Sequence, residues 1–91
     1  MSLVIRFSPP SLTAEQYDEV VRRLSADGVF PADGLDYELC FGSEGKLKVS
    51  QVWDSKEQLD AFGERLKPIL SDMGINPGEP EVLEVHNTIK R

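Results

Sequence analysis

The stretch from Leu35 to Trp53 leaves this chain little choice of fold. Leu35, Tyr37, Leu39 and Phe41 alternate with Asp36, Glu38 and Cys40, while Leu47, Val49, Gln51 and Trp53 alternate with Lys46, Lys48, Ser50 and Val52. Period-two alternation on both sides of a glycine-containing turn is the pattern of an antiparallel hairpin. A two-residue loop at Ser43-Glu44 would set Phe41 opposite Lys46 and mix the faces. A three-residue loop, Ser43-Glu44-Gly45, sets Phe41 opposite Leu47, Leu39 opposite Val49 and Tyr37 opposite Gln51, with Gly45 at the positive-φ position. That second register is the expectation.

The hairpin is flanked by two strand–helix signals. Leu3, Ile5 and Phe7 alternate with Val4 and Arg6 until Pro9-Pro10 stops the ladder. Thr13 and Gln16 form a capping box, and Tyr17, Val20, Val21 and Leu24 follow at helical spacing as far as Gly28. Ser55 and Gln58 repeat the cap ahead of Leu59, Phe62, Leu66, Ile69, Leu70 and Met73. Pro68 should kink or break this second helix near Lys67. A last strand sets Leu83, Val85, Asn87 and Ile89 on one face against Val82, Glu84, His86 and Thr88 on the other.

The order strand–helix–strand–strand–helix–strand predicts an α+β, ferredoxin-like βαββαβ fold. It is a four-stranded antiparallel sheet with two helices on one face, in one domain spanning residues 1–91. Ninety-one residues leave no room for a second core. The helices should cover the face of Leu3, Tyr37, Leu39, Phe41, Gln51, Trp53 and Asn87. The reverse face, with Arg6, Glu38, Cys40, Lys48, Ser50, Glu84 and His86 among valines, is half polar. Pairing with a second copy through that face, as a homodimer, is favoured over a face open to water.

The formal charge of −6, with ten basic residues dispersed among sixteen acidic ones, argues against nucleic acid and against an anionic membrane surface as partners. No apolar run is long enough to span a bilayer and no signal-peptide core is present. Cys40 is the only cysteine, which fits a reducing cytoplasm. In the expected register Lys48 lies across from Cys40 and would lower its pKa, though packing suffices to explain the residue. Gly42-Ser43-Glu44-Gly45-Lys46 has the wrong spacing for a phosphate loop and joins two strands. The third strand lacks the spaced aromatics of RNA-recognition domains.

The residues left for function are few. Trp53 is a core aromatic or a pocket wall that stacks an aromatic ligand, and Tyr37, Gln51 and Asn87 are polar groups that bond one another or orient that ligand. His86, the sole histidine, is the candidate for proton transfer, with Glu38 or Glu84 to orient it. No second metal ligand accompanies it, so no metal and no cofactor are expected.

Several segments carry a resemblance: Leu12-Thr13-Ala14-Glu15-Gln16-Tyr17-Asp18, Phe41-Gly42, Val52-Trp53-Asp54-Ser55, Pro68-Ile69-Leu70, and Pro77-Gly78-Glu79-Pro80-Glu81-Val82 with Val85-His86-Asn87. On these the chain resembles the dimeric α+β barrel superfamily, which includes antibiotic-biosynthesis and heme-degrading monooxygenases. More closely, it is similar to small uncharacterised bacterial proteins of that fold. Heme-degrading members use an Asn on the first strand, a Trp after the third and a His on the second helix. Trp53 matches, but the first strand offers Arg6 and Ser8, and the second helix has no His. The resemblance implies a dimeric barrel that binds a small apolar or aromatic ligand in a helix–sheet pocket without clear catalytic apparatus. The alternative it implies is a cofactor-independent, monooxygenase-like enzyme acting on an aromatic or polyketide-like substrate.

Overall fold

The computed structural model describes residues 2–91. Its elements are β1 (Leu3–Phe7), α1 (Ala14–Ala26), β2 (Leu35–Ser43), β3 (Lys46–Trp53), α2 (Lys56–Asp72) and β4 (Glu81–Glu84). The sheet order is β2-β3-β1-β4, and every neighbouring pair is antiparallel. This is the ferredoxin-like α+β architecture expected from the order of periodicities.

Local signals set the helix ends. Thr13 accepts from the Gln16 amide at 3.1 Å while the Gln16 side chain accepts from the Thr13 N–H at 2.9 Å, so both halves of the capping box are made. Replacing Thr13 with alanine leaves amides of the first turn unpaired and is expected to cost about 1 kcal/mol. A shift in the urea midpoint without a change in slope would register it. Ser55 caps α2 less completely. It accepts from the Gln58 amide at 3.3 Å, but its hydroxyl, rather than its backbone N–H, meets the Gln58 side chain at 2.9 Å.

Pro68 does not interrupt α2, which runs continuously from Lys56 to Asp72. Glu64 and Pro68 both face solvent, so the carbonyl that loses its helical donor can be hydrated. Hydration of that carbonyl lets the helix continue through Pro68 without the expected break.

The hairpin register also differs from expectation. Glu44-Gly45 form a two-residue turn with Ser43 opposite Lys46, which sets Phe41 opposite Lys48, Leu39 opposite Ser50 and Tyr37 opposite Val52. Gly45 does take the positive φ, at 82°. A shift in register between Leu35 and Tyr37 accounts for the altered facing. Leu35 packs against the core beside Trp53, and one irregular residue later the alternation resumes with opposite parity. Glu38 and Cys40 therefore share the helix-covered side with Val49 and Gln51, while Tyr37, Leu39 and Phe41 turn to the open side, 43%, 55% and 39% exposed.

The last strand is corrected in the same way. β4 has four residues and ends at Glu84, because Glu84 already pairs with Leu3 and only the Val85 N–H to Ser2 carbonyl bond continues the ladder. Leu83 lies opposite Val4 on the open face. His86 and Asn87 fall in the exposed segment beyond the strand.

The core lies between helices and sheet and consists of Ile5, Val20, Leu24, Trp53, Leu59 and Phe62. Trp53 is completely buried and tilts at 44° against the Phe62 ring, 5.1 Å between centroids. Gly34, at φ 87°, approaches so closely that a Cβ there would lie 2.3 Å from Gln58 Oε1. Its carbonyl accepts from the Asp54 N–H at 2.8 Å, which ties the loop before β2 to the end of β3. On the surface Arg23 bridges Glu19 of its own helix and Asp72 of α2 at 2.8 and 2.7 Å. Such exposed pairs add little to stability.

Candidate functional site

Between the two helices and the sheet is a cavity of about 60 Å³. Its walls are mostly apolar: Phe7 and Val49 from the sheet, Val20, Val21 and Leu24 from α1, and Phe62, Leu66 and Leu70 from α2. Three polar side chains join them, namely Tyr17, Glu38 and Gln51. The cavity's lining, apolar with a few convergent polar groups, is that of a small-molecule site, at a volume below the roughly 300–1,000 Å³ usual for one.

The polar groups form one chain of hydrogen bonds. Trp53 Nε1 donates to Gln51 Oε1 at 2.9 Å, Gln51 Nε2 donates to Glu38 Oε1 at 2.5 Å, and the Tyr17 hydroxyl donates to Glu38 Oε2. Each direction follows from chemistry. An indole N–H can only donate, so the Gln51 amide must turn its oxygen inward and its nitrogen toward the carboxylate. Gln51 is 3% exposed, and burial at that level is tolerated only when both ends of the amide are paired. Among the described residues no buried side-chain nitrogen or oxygen lacks a partner.

The electrostatics follow from the same arrangement. Burial holds the Tyr17 phenol well above its usual range, and the hydrogen bond and charge of Glu38 push it further in that direction. It is a neutral hydroxyl at any physiological pH. Burial likewise raises the Cys40 thiol, with Glu38 and Asp18 adding to the effect. Lys48 is not across from Cys40, since Val49 holds that position and Lys48 pairs with Phe41 on the open face. The lowered thiol pKa expected from the sequence is therefore reversed.

The residues singled out in the sequence fall in four places. Gln51 lines the cavity and anchors its polar wall. Trp53 lies behind that wall, fully buried, and touches the site through Gln51. Tyr37 is on the open face of the sheet, and His86 and Asn87 are in the exposed tail after β4, so none of these three joins Gln51 at the cavity. Tyr17 and Glu38 take their place. Tyr17 was visible as part of an apolar stripe, but its hydroxyl has no partner until the facing of β2 is known. Glu38 sat on the wrong side of the sheet in the expected register.

No family model matches the chain, nor does any curated protein. Solved structures do match over nearly the whole length. SnoaB, a cofactor-independent oxygenase from Streptomyces nogalater, has a TM-score of 0.63 at 14% identity, covering 99% of this chain and 96% of its own. A candidate antibiotic biosynthesis monooxygenase from Chloroflexus aurantiacus gives 0.63 at 12%, covering 97% of each chain. A dimeric ferredoxin-like protein of unknown function from Jannaschia gives 0.60 at 16%, covering 93% and 100%. The fold of this chain is thus that of the antibiotic-biosynthesis monooxygenases and the dimeric α+β barrels. Among the described residues no helix is long and apolar enough to cross a membrane.

Proposed function

We propose that this chain works as a homodimer in which each subunit holds a small, mainly apolar ligand in the cavity between its helices and sheet. One observation carries the binding reading: the hydrogen-bonded series Trp53–Gln51–Glu38–Tyr17 ends on the wall of an otherwise apolar space. Glu38 is half-buried, and two donors hold its carboxylate at the wall of that space. Ligand contact is assigned to Tyr17, Glu38 and Gln51, with Trp53 orienting Gln51 from behind.

Dimerisation draws on the open face. Tyr37, Leu39, Phe41 and Leu83 are large hydrophobic side chains left 39–58% exposed on that one surface of the sheet, with Val4 and Val52 between them. Contiguous apolar patches of this kind are covered in most soluble proteins, and a self-complementary patch suits a two-fold pair. The dimeric Jannaschia protein has the same fold.

The binding reading is tested with benzyl alcohol, a small molecule with one apolar ring and one polar group. Saturable shifts at the backbone amides of Val20, Leu24 and Gln51, and at the Trp53 indole N–H, are expected in proton–nitrogen correlation spectra. Titration to solubility with no saturable change at those four signals overturns the assignment.

A second reading is oxygenation without a cofactor, and it draws on the fold shared with SnoaB. It requires a base to take a proton from the substrate before oxygen reacts. Glu38 is the carboxylate on the cavity wall. His86 is not in that position, because it lies in the exposed tail.

A further inference from the structure

Both neighbours of Glu38 are donors whose directions are fixed. Gln51 offers Nε2 because its oxygen is committed to Trp53, and Tyr17 offers its hydroxyl hydrogen to the second carboxylate oxygen. Neither neighbour carries a charge. Among the described residues lining the cavity there is no Lys, Arg or His, and Glu38 takes part in none of the ion pairs found. An ionised carboxyl accepts at about four lone-pair positions, of which the protein fills two. What faces the apolar space is spare acceptor capacity with no basic side chain beside it.

The Tyr17 oxygen adds to this. Its hydrogen is spent on Glu38 and the phenol stays protonated, so it too presents only lone pairs. The wall accepts, and its one remaining donor is the second hydrogen of the Gln51 amide. A ligand bringing a carboxylate would set two anions side by side. One bringing only a carbonyl or ether oxygen would leave the spare acceptors dry. A ligand bringing a cationic donor both pairs them and balances the charge, and charge-assisted bonds are roughly twice as strong as neutral ones.

We infer that the cavity selects, among small apolar molecules, those that carry a protonated amine, with the ammonium on Glu38 and the apolar body against Val20, Leu24, Val49 and Leu66. The inference rests on the cavity being a ligand site, as proposed above, and names the chemistry that site prefers. The volume of about 60 Å³ has room for only a few water-sized groups, so the ligand has to be small.

Three probes of similar shape and different charge decide the matter: benzylamine, benzyl alcohol and benzoate, each titrated into the full-length protein by calorimetry at pH 7. Benzylamine is expected to bind at least tenfold more tightly than benzyl alcohol, with no binding by benzoate. Glu38→Gln keeps the size of the side chain but removes its charge, and is expected to reduce the ratio of benzylamine to benzyl alcohol affinity below twofold. Equal affinity for benzylamine and benzyl alcohol in the parent chain overturns the ammonium preference and leaves the cavity a ligand site. Failure of all three probes to bind overturns the ligand site itself, and the preference with it. The parent comparison is decisive by itself should Glu38→Gln not fold.

Discussion

Replacing Trp53 with alanine is expected to destabilise the protein by about 3–5 kcal/mol, the range for emptying an aromatic site in a core. The residue is fully buried, packs on Phe62, and is the sole donor to Gln51 Oε1. Domains have total stabilities of about 5–15 kcal/mol, so this variant should be largely unfolded well below the melting temperature of the parent. Trp53→Phe separates the two contributions. It keeps most of the ring volume but leaves a buried amide oxygen unpaired, which costs about 1–3 kcal/mol. Equilibrium urea unfolding of both variants gives the comparison. A loss under 1 kcal/mol for the alanine variant would contradict the burial described for Trp53.

The second large effect is on assembly. Placing aspartate at both Leu39 and Phe41 is expected to convert a species of twice 10.2 kDa into one of 10.2 kDa, as measured by sedimentation equilibrium at micromolar concentration. In the separated subunit the new carboxylates would be well tolerated. Phe41 lies opposite Lys48 and Leu39 opposite Ser50, so neither change buries a charge or creates a cavity in the core between helices and sheet. In a dimer closed through this face, the same carboxylates would meet their symmetry copies in a dry interface. Unchanged far-ultraviolet circular dichroism would show the subunit intact. A variant that kept the doubled mass would place the interface elsewhere.

How much of this was legible beforehand depends on how local each signal is. Thr13 with Gln16, and Gly28 at φ 73°, mark α1 within a few residues, and the structure places its ends there. The hairpin was equally plain as a hairpin. Its facing was not, because alternation says which residues share a side and leaves open which side that is. The irregularity after Leu35 changes the parity of β2 without changing its composition. Tyr37, Leu39 and Phe41 looked like core residues because apolar strand faces usually are. Here the sheet has two faces, one under helices and one open. The length of β4 was hidden for another reason. Val85 to Ile89 continue the alternation, but the ladder with β1 ends at the Leu3–Glu84 pair.

Those facing errors changed the membership of the candidate site as well as of the open face. Glu38 reaches the cavity only in the observed register, and Tyr17 acquires a partner only once Glu38 is there. A residue whose importance depends on a long-range pairing leaves no mark in its own neighbourhood of the chain. His86 shows the converse. It attracts notice in a sequence with one histidine, and it lies outside the fold's interior.

The placement of Trp53 has a practical consequence. It is the only tryptophan in the chain, it is shielded from water, and a single amide separates its N–H from the Glu38 carboxylate. Loss of charge at Glu38, or occupation of its free lone pairs, changes the polarity felt by Gln51 and through it the field at the indole. The protein thus carries a native optical sensor of its own interior, one that no entering molecule has to touch, and its emission colour can follow what happens next door without any attached dye.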